Sequence, residues 1–489
     1  MPLLAILSWP LIALIFFAQM PFARALVVST LVGYLLLPER FDVDLPLLPP
    51  INKLFVLTAG MALGALFFRP AAQQRPQVGL ENRDVWIGRI VLCAIVVLLC
   101  APVLTMLSNR FPVFQGPTVL PAMRPWDLLG MTLGTLYFVV PFLLARKYLA
   151  TPDRHRMLLR LLLISGLLYS LLVLVEMRLS PQLHNWVYGY HQHSFAQHIR
   201  GDGFRPKVFL QHGLWVGFFL FTVVIAALAL FRSSEQNTRA PYLLAGLWLF
   251  GVLFLSRNFG ATMIAVLIIG LLFVPRAWQI RAVLVVVIPF LLYPAVRQAG
   301  LVPIDRITQF AASISEDRAQ SFQFRLDNED QLLARALEKP VFGWGTWGRS
   351  LIYDDRGERT STSDGTWVIV LGELGWVGYL SFFALLTAPL LALRRAGRRK
   401  DIPVETVALA LIMIGNVIYL IPNSALSPLG WLMAGALAGF VQFDRTADHS
   451  SDVAPGSEAK KRTRYTRFAA RQPQDVPTGM PQRRSTSNP

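Results

Sequence analysis

From residue 3 to residue 443 the chain is a succession of apolar runs, most of them long enough to cross a bilayer. Inside lipid a backbone can satisfy its own hydrogen bonds only as helices or as a closed barrel, and uninterrupted runs of this length select helices. With 54% hydrophobic and 15% charged residues and a mean hydropathy of +0.48, the composition excludes a disordered chain, a collagen-like chain and an ordinary soluble enzyme. The expected fold class is therefore all-α, a polytopic membrane helical bundle. Cys93 and Cys100 stand seven apart in one such run, about 10 Å along a helix axis and beyond disulfide reach. They read as small core residues.

Thirteen spans are expected, at about 3–20, 22–38, 52–68, 88–107, 127–145, 157–175, 207–231, 241–255, 257–274, 281–296, 366–393, 403–421 and 426–443. Orientation follows from the basic loops, which stay cytoplasmic. One carries Arg146, Lys147, Arg154, Arg156 and Arg160, and another Arg394, Arg395, Arg398, Arg399 and Lys400. Strict alternation then puts the N-terminus in the periplasm and the C-terminus in the cytoplasm of a bacterial inner membrane. The first run resembles a signal peptide but has no basic residue ahead of it, so it is expected to be a retained span. The net charge of +17 records topology, not nucleic-acid binding. Four regions result: an N-terminal bundle of about ten spans over 1–296, a partly helical periplasmic loop over 297–365, three spans over 366–443, and a basic tail over 444–489. The tail has little to bury and reads as disordered, with its cluster at 460–471 suited to anionic inner-leaflet lipid. In the long loop, SFQFRLDNEDQLLARALEK has helical spacing of Phe324, Leu332, Leu333 and Leu337, as for an amphipathic helix lying over the bundle mouth.

Charges at the membrane's outer rim are the candidate site. The run from Tyr242 to Val274 would be about 50 Å long as one helix, so the chain must turn near Arg257. Arg257 reads either as an interfacial anchor or as an anion-binding group facing an outer cavity. In GDGFRPKVFLQHGLWVG, Arg205 and Lys207 stand at the head of a helix with Pro206 suited to its first turn. The free amides of such a turn, with two cations, favour a phosphate or diphosphate, and a snorkelling pair is the plainer reading. His212, one turn further in, reads as a buried hydrogen-bonded histidine or a proton carrier. Arg325, flanked by Asp327, Glu329 and Asp330, reads alone as an ion-paired surface residue. Three arginines from three segments would grip two adjacent phosphates well, because each guanidinium forks onto two oxygens.

Other signals carry less. Gly343 to Gly348 satisfies GxGxxG, but with no strand before it the pattern reads as a turn. His184, His191, His193 and His198 crowd one outer loop, where zinc is conceivable and an aromatic interfacial patch with Tyr188, Tyr190 and Phe195 is the preferred reading. Asp42 and Asp44 form a DxD that reads as a solvated carboxylate pair. The chain has no GxxxxGK, which argues against ATP-driven transport.

The order of these parts resembles the O-antigen ligase and O-antigen polymerase family. The resemblance runs through GFRPKVFLQHGLWVG, SRNFGATMIAVLIIG, FRLDNEDQLLARALEKPVFGWGTWG and TSDGTWVIVLGELGWVGYL, over about residues 200 to 390. It implies an inverting, metal-independent enzyme without cofactors, moving a glycan from an undecaprenyl diphosphate carrier to an acceptor hydroxyl in the periplasm. It further implies that Arg205, Arg257 and Arg325, with Lys207, engage the carrier's diphosphate. Where many members have a histidine opening the helix after the long loop, this chain has Asp364, the candidate base, which reads equally as an N-cap. Glu373 and Gly375 keep the family's look, Glu373 and His212 being possible supporting residues. Polymerisation of repeat units is the first expectation, ligation to a lipid or protein acceptor the second, and a lipid-linked glycan flippase the third.

Overall fold

The computed structural model describes residues 1–44, 49–68, 85–193, 195, 198–200, 203–314, 316–362, 364–398 and 401–443. The basic tail, Arg399 and Lys400 lie outside the described residues. The chain is a membrane helical bundle. Seven helices are long and apolar enough to cross a bilayer: α1 (Pro2–Gln19), α4 (Val85–Leu107), α5 (Pro125–Tyr148), α6 (Pro152–Leu179), α8 (Gly213–Ser233), α11 (Arg276–Gln298) and α14 (Thr366–Ala396). Six shorter apolar helices fall at the other expected spans: α2 (Phe22–Leu36), α3 (Lys53–Phe67), α9 (Ala240–Leu255), α10 (Phe259–Phe273), α15 (Val404–Tyr419) and α16 (Pro428–Gln442). At 15 or 16 residues each of these is about 23 Å long, less than a full hydrocarbon core.

The helix ends sort onto two faces. On one, Arg146 donates to Gln442 Oε1 at 2.7 Å, Arg156 pairs with Glu405 at 3.8 Å, and Arg276 pairs with Asp401. On the other, Lys53 pairs with Glu39 at 2.8 Å, and the Thr366 amide donates to the Leu420 carbonyl at 3.1 Å. Consecutive apolar helices therefore run in alternate directions. At the centre stands α8, apolar all round and buried almost without interruption from Val216 to Leu230, as a helix with no polar face must be. Against α5, α16 presents Gly435 and Gly439, where a Cβ would meet the carbonyl oxygens of Phe142 and Arg146 at 2.2 Å. Small residues four apart let two backbones approach this closely.

The second face carries a cap. It consists of the hairpin β1 (Val113–Gln115) and β2 (Thr118–Leu120), the short α7 (Leu183–Tyr188), the paired β3 (Ile199–Arg200) and β4 (Gly203–Phe204), and the helices α12 (Ile304–Ile314) and α13 (Glu316–Leu337). As expected, α13 is amphipathic and buries Leu332 and Leu333, but Phe324 is exposed. Arg297 of α11 holds α13 down by pairing with Asp330 at 2.9 Å, and Tyr293 donates to Glu329 at 3.3 Å.

The GxGxxG segment is a turn with a structural task. Gly343, Gly345 and Gly348 all have positive φ, and the turn wedges into α14, whose backbone breaks at Gly375 with φ 64° and ψ −168°. The amides of Trp344 and Gly345 donate to the carbonyls of Gly372 and Glu373 at 2.8 and 2.9 Å, and the Trp376 amide donates to Pro340 at 2.7 Å. The break's backbone groups are thus satisfied by the loop. A Cβ on Gly375 would lie 2.4 Å from the Val341 carbonyl oxygen, besides straining a left-handed φ. Gly375→Ala is expected to lower stability by about 2 kcal/mol or more, read as a fall in Tm in detergent. Gly251→Ala, where a Cβ meets nothing within 4 Å, should leave the Tm unchanged or raise it.

Two expectations fail here. Cys93 and Cys100 are free and exposed on the outward side of α4, because the helix turns its Val91, Ala94 and Leu98 stripe inward instead. The helix expected from residue 207 begins at Gly213, because Glu176 captures the preceding backbone.

Candidate functional site

A cavity of about 920 Å³ opens on the capped face, lined among others by Arg40, Arg205, Arg325, Arg359 and Asp364. Four guanidiniums thus face one carboxylate. His193, His212, Trp215, Phe324, Asn423 and Ser424 add polar groups and aromatic faces.

Arg325 projects from α13, one turn before the anchored Glu329. Its Nη1 donates to the Pro422 carbonyl at 3.3 Å, and its Nε lies 3.6 Å from Asp364 Oδ2. The partner is thus Asp364, in the loop before α14, and not the acidic neighbours on its own helix. Asp364 does not cap α14: the N-cap position is Gly365, with no side-chain capping bond. Its loop is fixed instead by the Thr362 amide donating to Asn328 Oδ1 at 2.8 Å. Burial raises the Asp364 carboxyl above its ordinary range, and Arg325 and then Arg359 pull it back. A carboxylate whose pKa is raised is a better proton acceptor than a solvated one.

Arg205 reaches the cavity from the segment after β4, and its Nη2 donates to the Arg257 carbonyl at 3.4 Å. That segment is held by Glu176, buried at the end of α6, whose carboxylate accepts the amides of Leu183, Lys207 and Val208 at 3.0, 2.9 and 2.7 Å. The backbone donors expected to serve a phosphate are therefore already committed. Lys207 is corrected with them: it is fully buried, donates to the His193 carbonyl at 3.3 Å, and does not line the cavity. His212 is corrected too. It is not inside the helix but caps it, its Nδ1 accepting the Leu214 amide at 3.1 Å.

Arg257 sits on the tight turn between α9 and α10 with φ 58°, exposed between the exposed Phe254, Leu255 and Phe259. Its guanidinium lies beside Gly203, where a Cβ would come within 2.9 Å of it. Of the three arginines expected to converge, Arg205 and Arg325 share the cavity, and Arg257 adjoins Arg205 through its carbonyl. Glu373 lies at the α14 break, away from the cavity lining. Asp42 and Asp44 are exposed and do not line the cavity. The four loop histidines do not gather: His184 accepts the Glu39 amide at 3.3 Å and bonds the Tyr190 carbonyl at 2.9 Å, while His191 meets Phe195 edge to face.

Two cavity arginines escaped the sequence. Arg359 looks like any of the nine basic residues of the long loop. Arg40, in an acidic, Pro-rich stretch, has a left-handed φ of 52°. A bulky residue held there costs of order 1–3 kcal/mol, and such strain collects at functional sites. No family model matches the chain, and no curated protein matches it.

Proposed function

We propose that the chain is a glycosyltransferase of the O-antigen ligase and polymerase type, which takes its donor as a polyprenyl diphosphate-linked oligosaccharide. The observation that carries this reading is the excess of guanidinium over carboxylate in one cavity at the rim of a membrane bundle. Such a cavity suits a substrate with two adjacent phosphates, since each arginine can fork onto two oxygens. Arg257, among apolar side chains on the lipid side, would meet the carrier's headgroup as it arrives laterally. Trp215 and Phe324 offer flat faces for sugar rings or the first isoprene units.

The reaction follows from where charge moves. An acceptor hydroxyl attacks the sugar C1 and the bond from C1 to the phosphate oxygen breaks. The proton passes to Asp364, and polyprenyl diphosphate leaves. Negative charge grows on that leaving group, and arginines fixed beforehand stabilise it without reorganising. A single displacement inverts the anomeric centre.

For the membrane, the proposal is thirteen spans in a bacterial inner membrane, the shorter helices spanning where the bundle is thin. The capped face is periplasmic, the N-terminus is on that side and the C-terminus is in the cytoplasm. The basic residues gathered at 146–160 and 394–398 on the opposite face support this orientation.

Purified protein in detergent, given lipid-linked donor and acceptor without any gradient, is expected to release free carrier diphosphate. Donor recovered intact would overturn the enzyme reading in favour of a flippase. In a deletion strain, loss of long chains with single repeats retained marks a polymerase. Long chains accumulating on the carrier mark a ligase.

A further inference from the structure

We propose that His193, His198 and His212 form a binding site for a divalent transition metal ion of the zinc type, its open coordination position facing the arginine cavity. This goes beyond glycosyl transfer and does not rest on it. It also departs from the metal-free chemistry that the family resemblance implies.

The geometry comes first. One ligand nitrogen from each of the three rings lies within 4.8 Å of the others. The ring centres of His193 and His212 are 4.9 Å apart, those of His198 and His212 4.8 Å, and those of His193 and His198 5.7 Å. Three imidazoles around a tetrahedral zinc, with nitrogens at about 2.0–2.1 Å from it, have ring centres about 5 Å apart and nitrogens about 3.3 Å apart. The backbone therefore already sets the spacing of the rings. Only their rotation is needed to turn the nitrogens inward.

The second observation is His198 itself. It is fully buried, and neither ring nitrogen makes a well-formed hydrogen bond among the described residues, the Arg205 backbone offering only a weak one. Buried polar atoms are nearly always well satisfied, so a buried ring without a well-formed hydrogen bond calls for a ligand.

The backbones are pinned as well. The Arg205 amide donates to the His198 carbonyl at 2.7 Å, Lys207 Nζ donates to the His193 carbonyl, and His212 is held at the head of α8. Because the Arg205 bond joins the histidine cluster to a cavity arginine, an ion here would sit in the cavity wall, which His193 and His212 line. Three histidines leave a fourth position for water or an anionic oxygen.

Two features set conditions on binding. His212 uses Nδ1 to accept the Leu214 amide, so coordination through Nε2 would place a proton on Nδ1 and break that cap. The loss of one capping bond is small against three metal bonds. The nearby Lys207 and Arg205 repel a cation, so the ion should bind more tightly when an anion shares the cavity.

The test uses the full chain in detergent, stripped with chelator, equilibrated with Zn²⁺, freed of excess and measured by elemental analysis, with Co²⁺ as an optical probe. About one equivalent of zinc is expected, with intense visible absorption of tetrahedral Co²⁺ and at least tenfold tighter binding with inorganic pyrophosphate present. His193→Ala and His198→Ala should each weaken binding at least tenfold, and His191→Ala should not. Should His198→Ala fail to fold, judged by its Tm and size-exclusion profile, His193→Ala, on a half-buried ring, decides. Less than a tenth of an equivalent in the wild type, or retention of zinc by His193→Ala, would overturn the proposal. One equivalent of zinc in a protein that leaves lipid-linked donor intact would sink the glycosyl-transfer reading and leave the metal site standing.

Discussion

Arg325→Ala is expected to lower kcat for release of carrier diphosphate by about 10²- to 10³-fold, as when one donor to a developing negative charge is removed elsewhere. The size of the effect follows from position. Arg325 is held on an anchored helix, with one hydrogen bond to Pro422 and its Nε toward Asp364, so its fork is fixed before substrate arrives. Arg325→Lys keeps the charge and loses the planar fork, and should recover only part of the rate. Arg205→Ala should act on the same diphosphate from the segment after β4, so the double variant should fall well short of the product of the two single effects. Independent, fully multiplicative losses would mean that the two arginines do not share a ligand, and the cavity would need another reading.

The sequence announces the bundle because lipid imposes one rule along the whole chain, and all thirteen apolar runs became helices. It also announces α13, whose apolar spacing is local. What it does not announce is anything decided by capture at a distance. Glu176 closes an otherwise apolar run, yet its carboxylate takes three amides of the cap, delays the start of α8 to Gly213 and turns Lys207 inward. Nothing in the pattern around Lys207 signals this. Arg40 and Arg359 were hidden for the same reason: a cavity lined from stretches around 40, 193, 205–215, 324–325, 359–369 and 423–425 gives no periodicity, and each arginine is locally an ordinary surface residue. The histidines show the converse. A crowd in one loop suggested a group of four, and the fold split it, using His184 to hold Glu39 and joining His193 and His198 to His212 from the head of α8.

Asp364→Asn carries the second large expectation, a fall in kcat of about 10²- to 10⁴-fold with KM near the wild-type value. The asparagine oxygen can still face Arg325, so the arginine stays oriented, but it cannot take up the acceptor's proton. A role confined to orienting Arg325 would give a small loss, chiefly in KM. The pH profile separates the two. The active form is the carboxylate, so the wild-type rate should rise with pH through the Asp364 pKa, which burial places above the ordinary aspartate value of about 3.9. Asp364→Asn should abolish that acid limb. Because Arg325 is the larger of the two influences that pull this pKa down, the residual activity of Arg325→Ala should show the limb displaced to higher pH. An unmoved limb in Arg325→Ala, or an intact one in Asp364→Asn, would assign the proton to another group and leave Asp364 as the partner that holds the arginine in place.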